Sequence, residues 1–379
     1  MKKGLFLPII LLLLAIHSTA QKLPSKKKII QTMELANSYF MNKWPDAGKT
    51  IFTNIERPSN IWTRSVYYEG LIALYGIDKK QEFYDYILQW GQKHKWGLRG
   101  GVQTRNADNQ CCAQVYLDMY VMDGKQHPER VEAIKQSVDL MKKTSKIDDW
   151  NWIDALQMAM PVFVKLGNLY NDTSYFNRMY EMYSFSKHKH GGNGLYNEAD
   201  HLWWRDKDFV PPYKEPNGED CYWSRGNGWV VAALARVLSE LPSSDPHYAE
   251  YLQDYKDMCK AILPLQREDG YWNVSLHDAN HFGGKEVSGT SLFIYGFAWG
   301  INHGILDAKT YKPAIIKAWN AMSKEAVHED GKLGYVQGTG KEPKDGQPVG
   351  YDKTPDFEDY GLGCLMLAGV EIVRLREVK

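Results

Sequence analysis

The feature that most restricts how this chain can fold is the spacing between its helical segments. Apolar residues recur at helical intervals in twelve stretches, near residues 25–43, 59–76, 79–95, 107–122, 128–144, 149–167, 173–188, 226–240, 246–264, 287–304, 309–327 and 357–375. Gly and Pro punctuate the gaps between them. The links alternate in length. After the even-numbered helices they are short: "GID" near 76–78, "DGKQHP" at 123–128, "GNLYND" at 167–172 and "LPSSDP" at 241–246. Before the even-numbered helices they are long, the link before 149 excepted, and the longest covers residues 189–225. A short link makes consecutive helices antiparallel neighbours. Twelve helices joined in this way predict an all-α architecture, an (α/α)6 barrel of six helical hairpins. The even helices run parallel inside and the odd ones return outside. A straight solenoid of helix pairs is the rival, but the sequence has no fixed repeat length to support it. A chain of 379 residues with 44% hydrophobic content is large enough for such a core, and no composition shift divides residues 21–379, which are expected to form one domain.

Other classes of function are disfavoured. Net charge is zero and the mature part has no long basic run, which argues against nucleic acid as a partner. Residues 1–20 read as an export leader: "MKK" is basic, "LFLPIILLLLAI" apolar, and "STA" before Gln21 supplies small residues for cleavage. The expected protein is exported, with the bacterial periplasm as its location. No membrane insertion is expected after leader cleavage, because no later stretch is long and apolar enough. The cysteines are Cys111, Cys112, Cys221, Cys259 and Cys364. Their odd number and spacing favour buried thiols over a disulfide framework. "HKH" at 188–190 reads as a solvated helix end, since no other ligand stands at metal spacing. Thirteen Trp and 24 Tyr suit either a well-packed core or a sugar-binding cleft.

A ring of this kind brings the long links and the starts of the inner helices to one end. Six helix N-termini there favour an anion such as a carboxylate. Polar and aromatic residues cluster at those starts: Trp62 and Arg64, "NADN" at 106–109, Asp154, "YWSRGNGW" at 222–229, "GKEVSGTS" at 284–291 with Glu286 and Ser288, and "FEDYG" at 357–361. Within "DDWNWIDALQMAM", residues 148–160, Asp148 or Asp149 is expected to cap the helix. Trp150, Asp154 and Met158 then share one stripe. Loss of hydration on that stripe is expected to raise the Asp154 carboxyl toward the range of a general acid. Asp108 can supply a second carboxyl across the ring. In "WSRGNGW", Gly226 and Gly228 permit close backbone approach, Trp223 and Trp229 offer stacking faces, Asn227 offers an amide, and Arg225 offers a planar fork for a carboxylate. Capping and tight turns account for each of these taken singly. The link at 189–225, with Glu198, Trp203, Trp204 and Arg205, is expected to wall the pocket and select the neighbouring sugar.

Four strings carry a family resemblance: "WNWIDALQMAMPVFVKLG", "YWSRGNGWVVAALARVL", "VSGTSLFIYGFAWGI" and "DFEDYGLGCLMLAG". In this order, and over the whole mature chain, they resemble the unsaturated uronyl hydrolases of glycoside hydrolase family 105 and, more distantly, family 88. The resemblance implies the (α/α)6 barrel, Asp154 as catalytic acid/base, Asp108 as partner carboxylate, and Arg225 and Trp229 as pocket residues. Where pectin-directed members carry an aromatic–His pair, "GLYNEAD" here places Asn197 and Glu198. The implied substrate is an oligosaccharide ending in a 4,5-unsaturated uronate, and the implied chemistry needs neither metal nor organic cofactor. A hydrolase or epimerase of saturated sugars, and a non-catalytic sugar-binding protein, remain open alternatives.

Overall fold

The computed structural model describes residues 22–53, 55–353 and 359–375, so the leader-like residues 1–20 lie outside the described residues. Its helices are α1 (Lys26–Lys43), α2 (Trp62–Ile77), α3 (Gln81–Lys93), α4 (Ala107–Gln110), α5 (Cys112–Met122), α6 (Glu129–Lys142), α7 (Asp154–Tyr170), α8 (Ser174–His188), α9 (Ser224–Glu240), α10 (Tyr248–Ile262), α11 (Val287–Asn302), α12 (Ala308–Glu325) and α13 (Asp359–Arg374). Two small antiparallel hairpins decorate them: β1 (Ile51–Thr53) with β2 (Ile55–Arg57), and β3 (Tyr196–Asn197) with β4 (Leu202–Trp203). The twelve helices expected from periodicity are these, with the fourth interrupted at Cys111 to give α4 and α5.

Burial separates two layers. α3 buries Phe83, Tyr86, Ile87, Trp90 and Gly91, and α12 buries Tyr311, Ala314, Ile315, Ala318, Trp319 and Met322. Both sets follow the i, i+3, i+4, i+7 rhythm of a helix with one wet face. In α9, α11 and α13 nearly every residue is buried, as required of helices packed on all sides. The inner helices neighbour one another in the order α2, α5, α7, α9, α11, α13 and back to α2. Each is backed by an outer helix, and α1 returns to pack on α13, so the chain's first and last helices form the sixth hairpin.

Ring closure depends on a reciprocal glycine contact. A Cβ on Gly70 of α2 would meet the Gly363 carbonyl oxygen at 2.6 Å, and one on Gly363 of α13 would meet the Val66 carbonyl oxygen at 2.2 Å. Backbone cannot move aside as a side chain can. Gly363→Ala is therefore expected to destabilise the protein by about 3 kcal/mol, the upper end for overpacking. A lowered denaturant midpoint would register it; an unchanged midpoint would mean that the two helices can separate at little cost.

α7 begins later than its sequence suggests. Residues 152 and 153 are tied to the long link: the Ile153 N–H donates to the Arg205 carbonyl at 2.9 Å, and Trp152 bridges to Asp206. Asp148 and Asp149 therefore do not cap the helix. Asp149 instead accepts from Arg105 Nε at 2.8 Å. Trp150 lies before the helix, packed edge-on to Phe163 at 5.4 Å, so the expected Trp150–Asp154–Met158 stripe loses its first member. All five cysteines are buried and unpaired.

Candidate active site

Asp154 opens α7 at the end of the ring where the other inner helices also begin. A cavity of about 250 Å³ lies there, and both Asp154 and Asp108 line it. Asp154 is 7% exposed. Arg205 Nε donates to its Oδ2 at 3.1 Å, and Arg205 Nη1 donates to Asp206 Oδ2 at 2.7 Å. The pairing that delays the start of α7 is thus also what delivers Arg205 to Asp154.

Asp108 stands in the short α4, whose cap Asn106 accepts from the Asn109 N–H at 3.3 Å. The desolvation expected for Asp154 acts clearly on Asp108. Burial, then the neighbouring Asp154 charge, push its carboxyl up to about 7, against the opposing pull of Arg205, Arg99 and Arg57. Two carboxyls in one cavity, one inclined to hold a proton and the other ion-paired, have the complementary environments that acid–base chemistry uses.

The remaining wall is aromatic and basic. Trp62, Trp152, Met158, Arg57, Arg99, Thr339 and Gly340 face the same space. Trp62 meets Trp229 edge-on at 6.2 Å and leans on Tyr360 at 5.2 Å. Thr63 is 1% exposed, lines the cavity, and its hydroxyl has no hydrogen-bond partner among the described residues. Sequence reasoning passed over Arg57, Arg99, Trp152, Thr63 and Thr339. Arg57 and Arg99 stand in "IERPSN" and "GLRGG", within the long links before α2 and α4. Applying to every basic residue the rule that long links gather at the site would have found them.

Several expected ligand-binding residues work behind the cavity. Arg225 is 1% exposed. Its Nη1 donates to the Gln337 carbonyl at 2.8 Å and its Nη2 to the Gly338 carbonyl at 2.7 Å. Its planar fork holds backbone, so it is not open to a substrate carboxylate. Trp223 donates its indole N–H to Gln337 Oε1 at 2.9 Å. Glu286 caps α11, accepting from the Ser288 and Gly289 N–H groups at 2.9 and 2.8 Å, and Ser288 Oγ donates to it at 2.6 Å. Together these residues fasten the link that presents Thr339 and Gly340. Asn227 fastens the other link, accepting from the Trp203 N–H at 2.9 Å and donating to the Trp203 carbonyl at 3.1 Å.

Arg64 is fully buried, donating to Asp359 Oδ2 at 3.1 Å and lying over the Phe40 and Trp44 rings. It joins α2 to α13 and α1. Trp203 is core, fully buried and 5.1 Å from Tyr196. Glu198 is exposed on the turn between β3 and β4. The long link reaches the cavity through Arg205, not through Trp203 or Glu198. Residues 354–358, which include the start of "FEDYG", lie outside the described residues.

Arg225→Ala is expected to take a donor from each of two buried carbonyls, leaving that of Gln337 with the Tyr360 hydroxyl alone, and to lower the melting temperature by several degrees. A melting curve indistinguishable from wild type would remove the clamp role.

A model of glycosyl hydrolase family 88 matches residues 32–376. An unsaturated 3S-rhamnoglycuronyl hydrolase from Formosa agariphila is 30% identical over 334 residues, covering 83% of this chain and 85% of that protein. The solved structure of a glycosyl hydrolase family 88 protein from Bacteroides vulgatus superposes with a TM-score of 0.83 at 30% identity, over 93% of this chain and 99% of that one. The solved structure of a polysaccharide lyase superposes with a TM-score of 0.82 at 30% identity, over 92% and 97%.

Proposed function

The chain belongs to glycosyl hydrolase family 88, and we propose that it removes a 4,5-unsaturated uronic acid from the non-reducing end of lyase-generated oligosaccharides. One observation carries this reading: a cavity sized for a single sugar ring holds two carboxyls, Asp108 pushed up to about 7 and Asp154 paired with Arg205, beside arginines from two other links. The ring oxygen and the C4=C5 bond of such a uronate form an enol ether. A proton added at C4 leaves positive charge shared between C5 and the ring oxygen. Water then adds at C5 and gives its proton to the same carboxyl pair. The resulting hemiketal opens and releases the shortened saccharide, so the net reaction consumes one water and returns the proton.

Asp154 is the acid/base of this reading, following the resemblance, and Asp108 is its partner. Before substrate arrives, the surroundings favour a proton on Asp108, and Asp154 is paired with Arg205. An arriving uronate carboxylate competes for Arg205 and adds like charge nearby. Both effects favour protonation of Asp154. Arg99, whose Nη1 has Asn109 Oδ1 at 3.3 Å, and Arg57 are placed to hold that carboxylate. Arg99→Ala is expected to raise KM about tenfold or more, the scale of a charge-assisted hydrogen bond, with the melting temperature unchanged. A normal KM would take Arg99 out of carboxylate binding.

For the neighbouring sugar we favour rhamnose, which the name of the Formosa relative specifies. Unsaturated disaccharides that differ only in that sugar, compared by kcat/KM, test the choice; equal values would refute it. The leader-like residues 1–20 support action outside the cytoplasm, and no described helix is long and apolar enough to cross a membrane. Fractionation of the native host, probed for the mature chain, tests export. A second reading rests on the polysaccharide lyase that shares the fold at 30% identity: the same carboxyl pair would then create the double bond rather than hydrate it.

A further inference from the structure

The links preceding α9 and α11 run side by side. The Ser224 N–H donates to the Val274 carbonyl at 2.8 Å and the Leu276 N–H to the Tyr222 carbonyl at 2.9 Å. Beside this pairing, away from the reacting carboxyls, one atom each from Glu215, Asp278 and His281 converge, all within 4.8 Å of one another. Glu215 and Asp278 are 3% and 2% exposed. His281 Nδ1 contacts Glu215 Oε2, and Ser275 Oγ donates to Glu215 Oε1 at 3.0 Å. Cys221, a thiol 2% exposed and bonded to no other cysteine, lies against Glu215.

The charge balance at this point differs from that elsewhere in the protein. Buried Asp359 has Arg64, buried Asp254 has Lys187, and buried Glu69 has Arg236. Among the described residues no Lys or Arg pairs with Glu215 or Asp278, and His281 is the only basic group in contact. Buried carboxylates are stable when they are paired or when they coordinate a metal.

We propose that Glu215, Asp278 and His281 form a structural site for a zinc-type divalent ion. One imidazole nitrogen and two carboxylate oxygens suit zinc. Calcium takes six to eight oxygens, and Asp278 already accepts N–H groups from Asn217, Asn280 and His281. Ser275 orients Glu215 in the way second-layer hydrogen bonds orient metal ligands. The ion would bolt the two links together. From there Tyr213 reaches Glu342 at 3.4 Å, on the link that carries Thr339 and Gly340 into the cavity. The ion braces the wall and takes no part in the reaction.

The test uses the full mature chain without a histidine tag. Elemental analysis after gel filtration is expected to find about one zinc per chain. Chelator-stripped protein is expected to gain about 5 °C or more in melting temperature on adding zinc well above its Kd, and nothing on adding calcium. His281→Ala and Asp278→Asn are expected to abolish both the bound zinc and the gain. A stripped wild type whose melting point ignores zinc would reduce the cluster to a Glu–His ion pair and overturn the proposal. So would a gain that survives in both variants, or a response to calcium alone.

Discussion

Asp154→Asn is expected to lower kcat by at least about 100-fold, the usual scale for the loss of a general acid. The amide keeps the side chain's size, and its oxygen can still accept from Arg205 Nε, the contact that reaches Asp154 at 3.1 Å. It can neither deliver a proton to C4 nor take one from water. Arg205 keeps Asp206 as a partner at 2.7 Å, so the link on which it stands should remain in place and the melting temperature should change little. KM should also change little, because Arg57 and Arg99 are untouched. A folded variant retaining more than about a tenth of wild-type turnover would show that the proton comes from elsewhere.

Asp108→Asn is expected to cost a comparable factor in kcat and, in addition, to alter the pH dependence of stability. The folded protein holds the Asp108 proton up to about pH 7, whereas an unperturbed aspartate releases it near 3.8. Between those values the folded state binds more protons than the unfolded one, and stability falls as pH rises through the window. The contribution is fully present below the lower value and lost above the upper one. The variant lacks this ionisation. Between pH 4 and pH 8 the wild type should therefore lose stability relative to Asp108→Asn, and denaturant midpoints at the two ends measure the difference. The wild-type kcat/KM profile should also show an ionisation near 7 that the variant lacks. Parallel stability curves would place the raised carboxyl elsewhere.

The barrel was legible because its signal is carried by many residues at once. Apolar periodicity marked each helix, and link length marked which helices lie inside. The interruption at Cys111 and the late start of α7 were not legible. The second depends on Trp152 and Ile153 pairing with residues more than fifty positions away, and no local pattern records that. At the site the two carboxyls and Arg205 were legible, and the other two arginines, Arg57 and Arg99, were not. Arg225 stands in the most distinctive string of the sequence, yet it holds the Gln337 and Gly338 carbonyls. Glu286 and Ser288 satisfy the first turn of α11. The start of an inner helix must be capped, buried and tied to a long link, and these packing demands select polar and aromatic residues as strongly as catalysis does. Arg57 and Arg99 are half-buried residues in unremarked stretches of link, and only the closed ring brings them to the cavity.

The most direct test of the central claim follows the ultraviolet absorbance of the conjugated double bond while the enzyme acts on a disaccharide ending in a 4,5-unsaturated uronate. Hydration at C4 and C5 predicts loss of that absorbance, with release of one saturated sugar for each double bond consumed. A stable absorbance with purified, folded protein would contradict the proposed activity on that substrate. A rise in absorbance from the intact, saturated polysaccharide would contradict it altogether and identify the chain as a lyase.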